Sequence, residues 1–155
     1  MLTVIQRVTH ANVVVDSFVI GDIKHGIVAL LAIEKKDGEA EAKKLIERVL
    51  NYRIFADAND KMNLSLRDVN GGLLLIPQFT LAADTSNGTR PSFTSSAPPG
   101  LAEPLFEFAA QYAKQLHPTV ACGKFGADMQ LYLCNDGPVT FTLRTPATDH
   151  KYMLK

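Results

Sequence analysis

A nearly continuous apolar run, which begins at Gly26 and reads GIVALLAI, most constrains how this chain folds. Such a run suits a strand that is buried on both faces of a sheet, because neither of its sides offers polar groups to solvent. It is far too short to cross a lipid bilayer. The run therefore predicts a central strand with other elements packed on both faces.

Shorter β segments surround this run. Before it, Val4–Val8 and Val13–Val15 are predicted as strands, and Phe18–Ile23 follows after a tight connection at Asp16-Ser17. The later segments predicted as strands are Gly72–Leu81, Val120–Phe125, Met129–Cys134 and Val139–Arg144. Each of the last two has one apolar face, so they are predicted to form a hairpin with its tip at Asn135–Pro138.

Two other segments have helical spacing. The first helix is predicted to follow an N-cap at Asp37 and to end near Leu50, with acidic residues at its positive end. The second is predicted to run from near Leu101 to before Pro118, with Pro104 tolerated in its first turn. The apolar residues expected on the buried sides are Ala42, Leu45, Ile46 and Val49 in the first helix, and Leu105, Phe108, Tyr112 and Leu116 in the second.

The order of elements defines the expected fold class. Strands come first, then a helix, a strand, a long loop (84–100), a second helix and more strands, without a β-α-β period or an internal repeat. This order predicts an α+β domain with a strongly curved, antiparallel-rich sheet or small barrel and two helices on one side. A chain of 155 residues fits one domain. We expect that domain at 1–145 and a patternless C-terminal tail at 146–155.

Charge and leader signals limit the partners and the compartment. Sixteen basic and sixteen acidic side chains cancel, so no global field would draw the protein onto DNA or an anionic membrane, and any RNA contact must be local. The first residues are strand-like and lack the pattern of a signal peptide. These features predict a cytoplasmic protein with neither DNA nor a membrane as partner.

Metal and cofactor sites are not indicated. Cys122 and Cys134 lie outside any CxxC or Cys/His cluster, so they are predicted as buried free thiols. The four histidines are scattered and offer too few ligands for zinc. We therefore expect no metal and no organic cofactor.

The Gly137-Pro138 pair can be interpreted in two ways. In one, Gly137 supplies an unusual φ and Pro138 stiffens a turn. In the other, the pair presents bare carbonyl groups and an edge without side chains to a ligand, with a cis bond fixing their direction. The sequence alone does not choose between cis and trans.

The segment Gln78-Phe79-Thr80 is the second candidate for chemistry. Read as a strand, it places polar Gln78 and Thr80 on one face and Phe79 on the other. Thr80 could be a nucleophile, although that needs a positioned base. Alternatively, Gln78 and Thr80 could line a pocket, or the segment could be only structural. Pro77 suggests a strand start, an edge or a bulge, which would leave the N–H groups of Phe79 and Thr80 available to an oxyanion.

Six short blocks resemble one known family. They are QRVTHANVVVD (6–16), KMNLSL (61–66), PQFTLAADT (77–85), RPSF (90–93), KFGADMQ (124–130) and NDGPVT (135–140). In this order and spacing the chain resembles the D-aminoacyl-tRNA deacylase (D-tyrosyl-tRNA deacylase) family over essentially 1–143. The resemblance implies hydrolysis of the ester that joins a D-amino acid, or glycine, to the terminal adenosine of tRNA.

The resemblance also implies a specific role for Gly137 and Pro138. In the family this pair is cis, and one subunit of a homodimer inserts it into the active site of the other, where its carbonyl groups hold the substrate's α-amino group. A side chain of L configuration would collide with this backbone edge, whereas a D side chain points away. Steric exclusion of this kind can reject a substrate strongly.

Other positions carry over residue by residue. Gln78, Phe79 and Thr80 match the family segment that lines the catalytic pocket, and Arg7 matches the arginine that supports the inserted loop. Phe125 and Met129 match positions around the adenosine and the pocket, although core packing alone would also explain them. The chain departs from the family at Pro77, where a serine is usual, so any role of that hydroxyl is absent.

The leading hypothesis is therefore a homodimeric esterase that acts on the 3′ acceptor end of D-aminoacyl-tRNA and glycyl-tRNA. In the family, attack depends on the substrate's ribose 2′-hydroxyl and water, which agrees with the lack of a Ser-His-Asp set. One alternative is a related editing deacylase for a mischarged small L-amino acid, which a trans Gly137–Pro138 bond would permit. Another is a dimer that binds ligands without catalysis.

Overall fold

The structure, a computed structural model, describes residues 1–146, so the predicted C-terminal tail lies outside the described residues except for Pro146. In this range the strands are β1 (Leu2–Val15), β2 (Phe18–Ile23), β3 (Gly26–Ala32), β4 (Phe55–Ala56), β5 (Met62–Leu64), β6 (Gly72–Pro77), β7 (Val120–Cys122) and β8 (Gln130–Arg144), and the helices are α1 (Glu39–Asn51) and α2 (Pro99–Leu116).

The main sheet is mixed and nearly closed. Its strand order is β2-β1-β3-β6-β7. Strands β2 and β3 pair with different parts of one edge of β1, and β8 pairs with its opposite edge. The pairs that involve β1 are antiparallel, whereas β3–β6 and β6–β7 are parallel. The outer strands β2 and β7 approach each other, since a Cβ added to Gly21 would lie 3.2 Å from the carbonyl oxygen of Cys122. The expected curved α+β sheet with two helices on one side is confirmed.

Strand β3 separates two hydrophobic layers, as the apolar run predicts. Ile27, Ala29 and Leu31 pack into the layer between the sheet and the two helices. Val28, which points the other way, packs into the barrel interior with Leu74 of β6. All residues of β3 are buried except Leu30, which is half-buried, so β3 is the central strand that fixes the positions of its neighbours.

The predicted hairpin around Asn135–Pro138 is wrong. Residues Gln130–Arg144 form one strand, β8, which pairs with β1 along nearly its whole length. Asn135 lies opposite Val8 and Thr140 opposite Gln6, so residues 136–139 lie opposite Arg7 alone and form a large bulge rather than a reversal. The Asn-Asp-Gly-Pro sequence favours a turn locally, but the long β1 provides a partner for both halves.

The bulge also changes the direction of the side chains. Leu131 and Leu133 pack against the barrel interior, whereas Phe141 and Leu143 pack in the layer below the helices. In the same way β1 is one bulged strand and not the two short segments predicted. The tight connection that follows it is present, with Asp16 and Ser17 at φ 49° and 68°.

Helix α1 begins one residue later than predicted, because its N-cap is Gly38. The N–H of Gly38 donates to Glu41 Oε2 at 3.0 Å. Asp37 Oδ1 instead accepts a hydrogen bond from the N-terminal amino group of Met1 at 2.5 Å. The acidic residues in the first turn, Glu39 and Glu41, are as predicted.

Helix α2 buries a different stripe from the one predicted. Of the predicted residues only Leu105 is fully buried; the buried set is Ala102, Leu105, Phe106, Ala109, Ala110 and Ala113. Small alanine side chains allow close packing, which leaves Phe108 and Tyr112 stacked at the margin of the helix pair. Pro104 lies inside the helix beyond its first turn, because α2 already begins at Pro99.

The two cysteines were both predicted to be buried free thiols. Both thiols are free; Cys122 is half-buried, but Cys134 is exposed, so its predicted burial is wrong. Burial raises the pKa of the Cys122 thiol. Neither helix of the described residues has the length and apolarity that a membrane span requires.

Candidate active site

A cleft of about 890 Å³ opens where β6 ends. Its floor is formed by Ile76–Phe79, one wall by Lys35, Phe93 and Ser96–Pro99, and the other by Phe125–Ala127, Met129 and Leu131. The cleft thus combines three phenylalanines with a stretch of backbone at a strand end. Gln78, Phe79, Phe125 and Met129, which the sequence predicts as site residues, all line it.

The floor of the cleft changes from strand to turn at Pro77. Proline cannot donate to the ladder, and β6 ends there, so the prediction of a strand through Leu81 is wrong. The N–H of Gln78 still donates to the carbonyl of Leu31 at 2.8 Å, and a single 3-10 turn, Phe79–Ala82, follows. Phe79 and Thr80 therefore do not alternate across a sheet.

The turn leaves two backbone donors free. Its first internal hydrogen bond runs from the N–H of Leu81 to the carbonyl of Gln78 at 3.3 Å. The N–H groups of Phe79 and Thr80 precede this bond and have no hydrogen-bond acceptor among residues 1–146. Paired N–H groups beside a cleft are the donors that stabilise an oxyanion.

The hydroxyl of Thr80 is held by an amide and not by a base. Nε2 of Gln78 donates to Thr80 Oγ1 at 2.6 Å. An amide cannot remove a proton from a hydroxyl, so this contact positions Thr80 without activating it. Of the three interpretations of the segment, the geometry favours a hydrogen-bonded pair, of which Gln78 lines the cleft, whereas Thr80 is exposed and does not line it.

The long loop predicted at 84–100 ends at Pro98, the residue before α2 begins; it is fixed to the sheet and forms most of one wall of the cleft. The N–H of Ala97 donates to the carbonyl of Ile33 at 3.0 Å, and Ser96 Oγ donates to the carbonyl of Phe79 at 3.3 Å. The rings of Phe79 and Phe93 lie 5.3 Å apart. The sequence analysis did not predict Phe93, Ser96 and Lys35 as cleft residues. An aromatic residue within a proline-rich loop is the signal that could have indicated Phe93 and its neighbour Ser96.

The opposite wall combines packing with access to the cleft. Phe125 is half-buried beside Phe106, at a centroid distance of 6.4 Å. Met129 is also half-buried, and its sulfur accepts from the N–H of Lys124 at 3.4 Å. Both residues therefore pack on the core and line the cleft at the same time, so the two interpretations of these residues are compatible.

Gly137 and Pro138 lie elsewhere in the same chain. The bond between them is cis, and both residues are exposed. Arg7, which binds the residue before Gly137, lies opposite Ile27 of β3, and Pro77 on the cleft floor lies opposite Leu31. The positions of Arg7 and Pro77 are therefore offset by roughly 13 Å along β3. Gly137 and Pro138 are absent from the lining of the cleft.

Arg7 and Asn135 brace the bulge that carries this pair. Arg7 Nε donates to the carbonyl oxygen of Asp136 at 3.2 Å, and its Nη1 donates to the carbonyl oxygen of Ile54 at 2.7 Å. The side chain of Asn135 accepts from the N–H of Val139 at 3.1 Å and donates to Thr140 at 2.9 Å. The exposed Gly137-Pro138 edge is thus held from both sides.

Charged and metal-binding groups are few near the cleft. Hydrogen bonds from Ser86 lower the pKa of Asp84, so the loop carries a carboxylate at neutral pH. Residues 1–146 contain no cluster of three or more His, Cys, Asp or Glu side chains suited to a metal ion. The chemistry of the cleft therefore rests on backbone N–H groups, one amide-hydroxyl pair and aromatic rings.

Known structures define the class of this fold. The chain matches a solved structure titled "c-Myc DNA Unwinding Element Binding Protein" with a TM-score of 0.90 and 35% identity, covering 95% of this chain and 100% of the other. It also matches one titled "Structural Analysis of a probable eukaryotic D-amino acid tRNA deacylase" with a TM-score of 0.80, over 92% and 97% of the two chains; at 14% identity this shows the fold alone. The class is an α+β domain of the deacylase fold.

Sequence comparison then assigns the family. The profile described as D-Tyr-tRNA(Tyr) deacylase matches residues 4–144. A D-aminoacyl-tRNA deacylase of Pseudomonas fluorescens is 57% identical over 94% of this chain and all of the relative. One of Pseudoalteromonas translucida is 57% identical over 92% of this chain and 99% of the relative. The chain belongs to the D-Tyr-tRNA(Tyr) deacylase family, as the sequence blocks predict.

Proposed function

We propose that this protein is a D-aminoacyl-tRNA deacylase, a carboxylic ester hydrolase that releases a free D-amino acid and tRNA. Membership of the family and the names of relatives at 57% identity support this activity. The structural observation that carries the proposal is the free N–H pair of Phe79, which lines an aromatic cleft, and of Thr80, which follows it in the same turn. The reaction adds one water molecule across the ester bond.

The chemical step needs little from the protein beyond positioning. Water, assisted by the substrate's ribose 2′-hydroxyl, attacks the ester carbonyl, and the carbonyl oxygen becomes an oxyanion. The N–H groups of Phe79 and Thr80 donate to that oxygen, and removing one such donor typically costs 10²–10³ in rate. The ribose 3′-oxygen then leaves as the hydroxyl of the tRNA.

Selection of the D configuration is assigned to Gly137 and Pro138 of a second copy. In one chain the pair is exposed and does not line the cleft, and Arg7, which braces the pair, is offset from Pro77 by roughly 13 Å along β3. This placement supports an arrangement in which a partner subunit brings the pair over the ester. Its carbonyl groups would bind the α-amino group, and its backbone would collide with an L side chain but not with glycine, so glycyl-tRNA is also a substrate.

A homodimer is consistent with the exposed edge of β8. The strand pairs only with β1, so its other edge has unpaired backbone groups within the described residues. Tyr132 on this strand is 56% exposed. Long edge strands of this kind tend to pair with another chain. The neutral overall charge and the tRNA substrate fit a cytoplasmic enzyme that contacts only the acceptor end.

The initial rates on D-Tyr-tRNA and L-Tyr-tRNA test this function directly. We expect fast hydrolysis of the D ester and slow hydrolysis of the L ester. L-alanyl-tRNA serves as the control for the alternative editing activity, which required a trans bond between Gly137 and Pro138 where the structure has cis. Binding of D-Tyr-tRNA without turnover would instead favour a dimer without catalysis.

A further inference from the structure

Within residues 1–146, the lining of the cleft includes a single charged side chain. Among the described residues that line it, Lys35 is the one with a formal charge; the others are apolar, aromatic, amide or hydroxyl residues. A cation at this position disfavours a positively charged ligand group and favours an anionic one. This polarity determines which end of a ligand lies beside Lys35.

The ammonium group of Lys35 is also available to a ligand. Its acidic neighbours in sequence are already engaged, since Glu34 binds the amino group of Met1 and Arg144, and Asp37 binds the amino group of Met1. Lys35 is exposed and forms no ion pair within residues 1–146. Its backbone is fixed by the hydrogen bond from its N–H to the carbonyl of Ser95 at 3.3 Å. The side chain thus extends from an anchored position at the rim.

The substrate of the proposed function has two charges near the ester. One is the α-ammonium of the amino acid, and the other is the phosphodiester on the 5′ side of the terminal adenosine. Adenine and ribose are neutral. Of these groups only the phosphodiester is attracted to a lysine, whereas the α-ammonium is repelled by it.

We propose, on the basis of the proposed function, that Lys35 binds the phosphodiester that precedes the terminal adenosine and so sets the orientation of the acceptor end. The phosphate then lies at the wall formed by Lys35 and Ser96–Pro99. The adenine lies toward Phe125 on the opposite wall, and the ester lies over Phe79 and Thr80. Lys35 acts as a substrate-positioning residue and takes no part in bond cleavage.

Lys124 is the competing cation. It adjoins Phe125 but faces the neighbouring groove between α2 and β7, which it lines together with Lys114 and two glutamates. If the phosphate lay on that side, the effect of charge removal would be found at Lys124. Lys36 is a matched control, because it is exposed, adjacent in sequence and absent from the cleft.

The test compares Lys35→Gln, Lys36→Gln and Lys124→Gln on three substrates. These are D-Tyr-tRNA, the D-tyrosyl ester of adenosine 5′-monophosphate, and the D-tyrosyl ester of adenosine, which lacks the phosphate. For Lys35→Gln we expect KM to rise roughly three- to tenfold on the two phosphorylated substrates, with kcat within about twofold. We expect no change on the adenosine ester, and Lys35→Arg should restore most of the loss.

Salt dependence on D-Tyr-tRNA is a second, independent readout. Loss of one phosphate contact should reduce the slope of log(kcat/KM) against log salt by roughly 0.7 for single-stranded substrate. The assignment would be overturned if Lys35→Gln left both the slope and KM unchanged, or if it raised KM equally on the adenosine ester. It would also be overturned if the rise in KM were confined to Lys124→Gln. An inactive wild-type protein on all three substrates would instead refute the proposed function, and this inference with it.

Discussion

Arg7 and Asp136 form an ion pair at the bulge of β8, with Arg7 Nε 3.1 Å from Asp136 Oδ2. The same Arg7 Nε donates to the Asp136 carbonyl oxygen. Arg7 is mostly buried and Asp136 is about 40% exposed, so the pair connects the sheet with the exposed Gly137-Pro138 edge. The guanidinium, with several donors in one plane, is suited to hold backbone and side chain together.

Replacement of Arg7 by lysine should therefore impair catalysis although the charge remains. Lysine cannot reach Asp136 and Ile54 at once in this geometry, and loss of one charge-assisted hydrogen bond corresponds to roughly a tenfold or greater decrease in kcat/KM. Steady-state kinetics of D-Tyr-tRNA hydrolysis measure this decrease in kcat/KM. Arg53→Lys is the control, because Arg53 also holds a carbonyl oxygen, that of Asn63, but on an exposed surface. Equal effects of both variants would contradict the role of Arg7.

Gly137→Ala should reduce activity more than it reduces stability. Gly137 has φ +126°, and an added Cβ would lie 2.7 Å from Cγ2 of Val139, so the bulge must shift. We expect kcat/KM to fall by roughly a hundredfold, with about 1–2 kcal/mol lost from the free energy of unfolding. Gly88→Ala provides the comparison, since Gly88 has φ +66° but open space around it. A Gly137→Ala enzyme with wild-type rates would exclude this role of the edge.

Thr80→Ala should retain appreciable activity. The hydroxyl of Thr80 contacts an amide and not a base, and the N–H of residue 80 persists in alanine. We expect kcat within about tenfold of the wild-type value, because a lost neutral hydrogen bond typically contributes about 0.5–1.5 kcal/mol. Mass spectrometry of the enzyme quenched during turnover provides a second check, and an acyl adduct on Thr80 would show that the hydroxyl is the nucleophile after all.

Gly26→Ala tests the close approach of β3 and β6. A Cβ on Gly26 would lie 1.9 Å from the carbonyl oxygen of Gly72, its partner in the parallel pair. Backbone cannot move aside cheaply here, so we expect a loss of roughly 3 kcal/mol or more in the free energy of unfolding by urea. Gly100→Ala, in the first turns of α2 with open space around it, should be neutral or slightly stabilising. A fully stable Gly26→Ala protein would mean that the two strands lie farther apart.

The sequence predicted most of the fold where local pattern and tertiary packing agree. The two-sided burial of β3, the bounds of β2 and the acidic first turn of α1 follow from periodicity and end chemistry alone. The sequence failed where packing overrode a local signal. Asn135–Pro138 has the composition of a hairpin tip, yet β1 extends far enough to pair on both sides of it, and no local pattern specifies the length of a distant partner strand.

The residues of the candidate site were also predicted only in part. Gln78, Phe79, Phe125 and Met129 were found because short sequence blocks resemble those of a family, and all four line one cleft. Lys35 and Phe93 were missed as cleft residues, because the turn that follows Pro77 and the anchoring of the 84–100 loop bring them there. Gly137 and Pro138 do not line that cleft in one chain, and their proposed role in the cleft of a second copy rests on the family resemblance and not on a local sequence pattern.

Subunit complementation is the most direct test of the central claim, that one subunit selects the substrate bound by the other. Gly137→Ala displaces the exposed Gly137-Pro138 edge, and Ala127→Trp fills the cleft that Ala127 lines; each homodimer should retain no more than roughly a hundredth of the wild-type activity. Unfolding and reassembly of an equal mixture should restore about a quarter of the wild-type sites, since half of the dimers are mixed and each has one intact site. Activity that stays at background in mixed dimers whose formation is verified by mass would contradict the account.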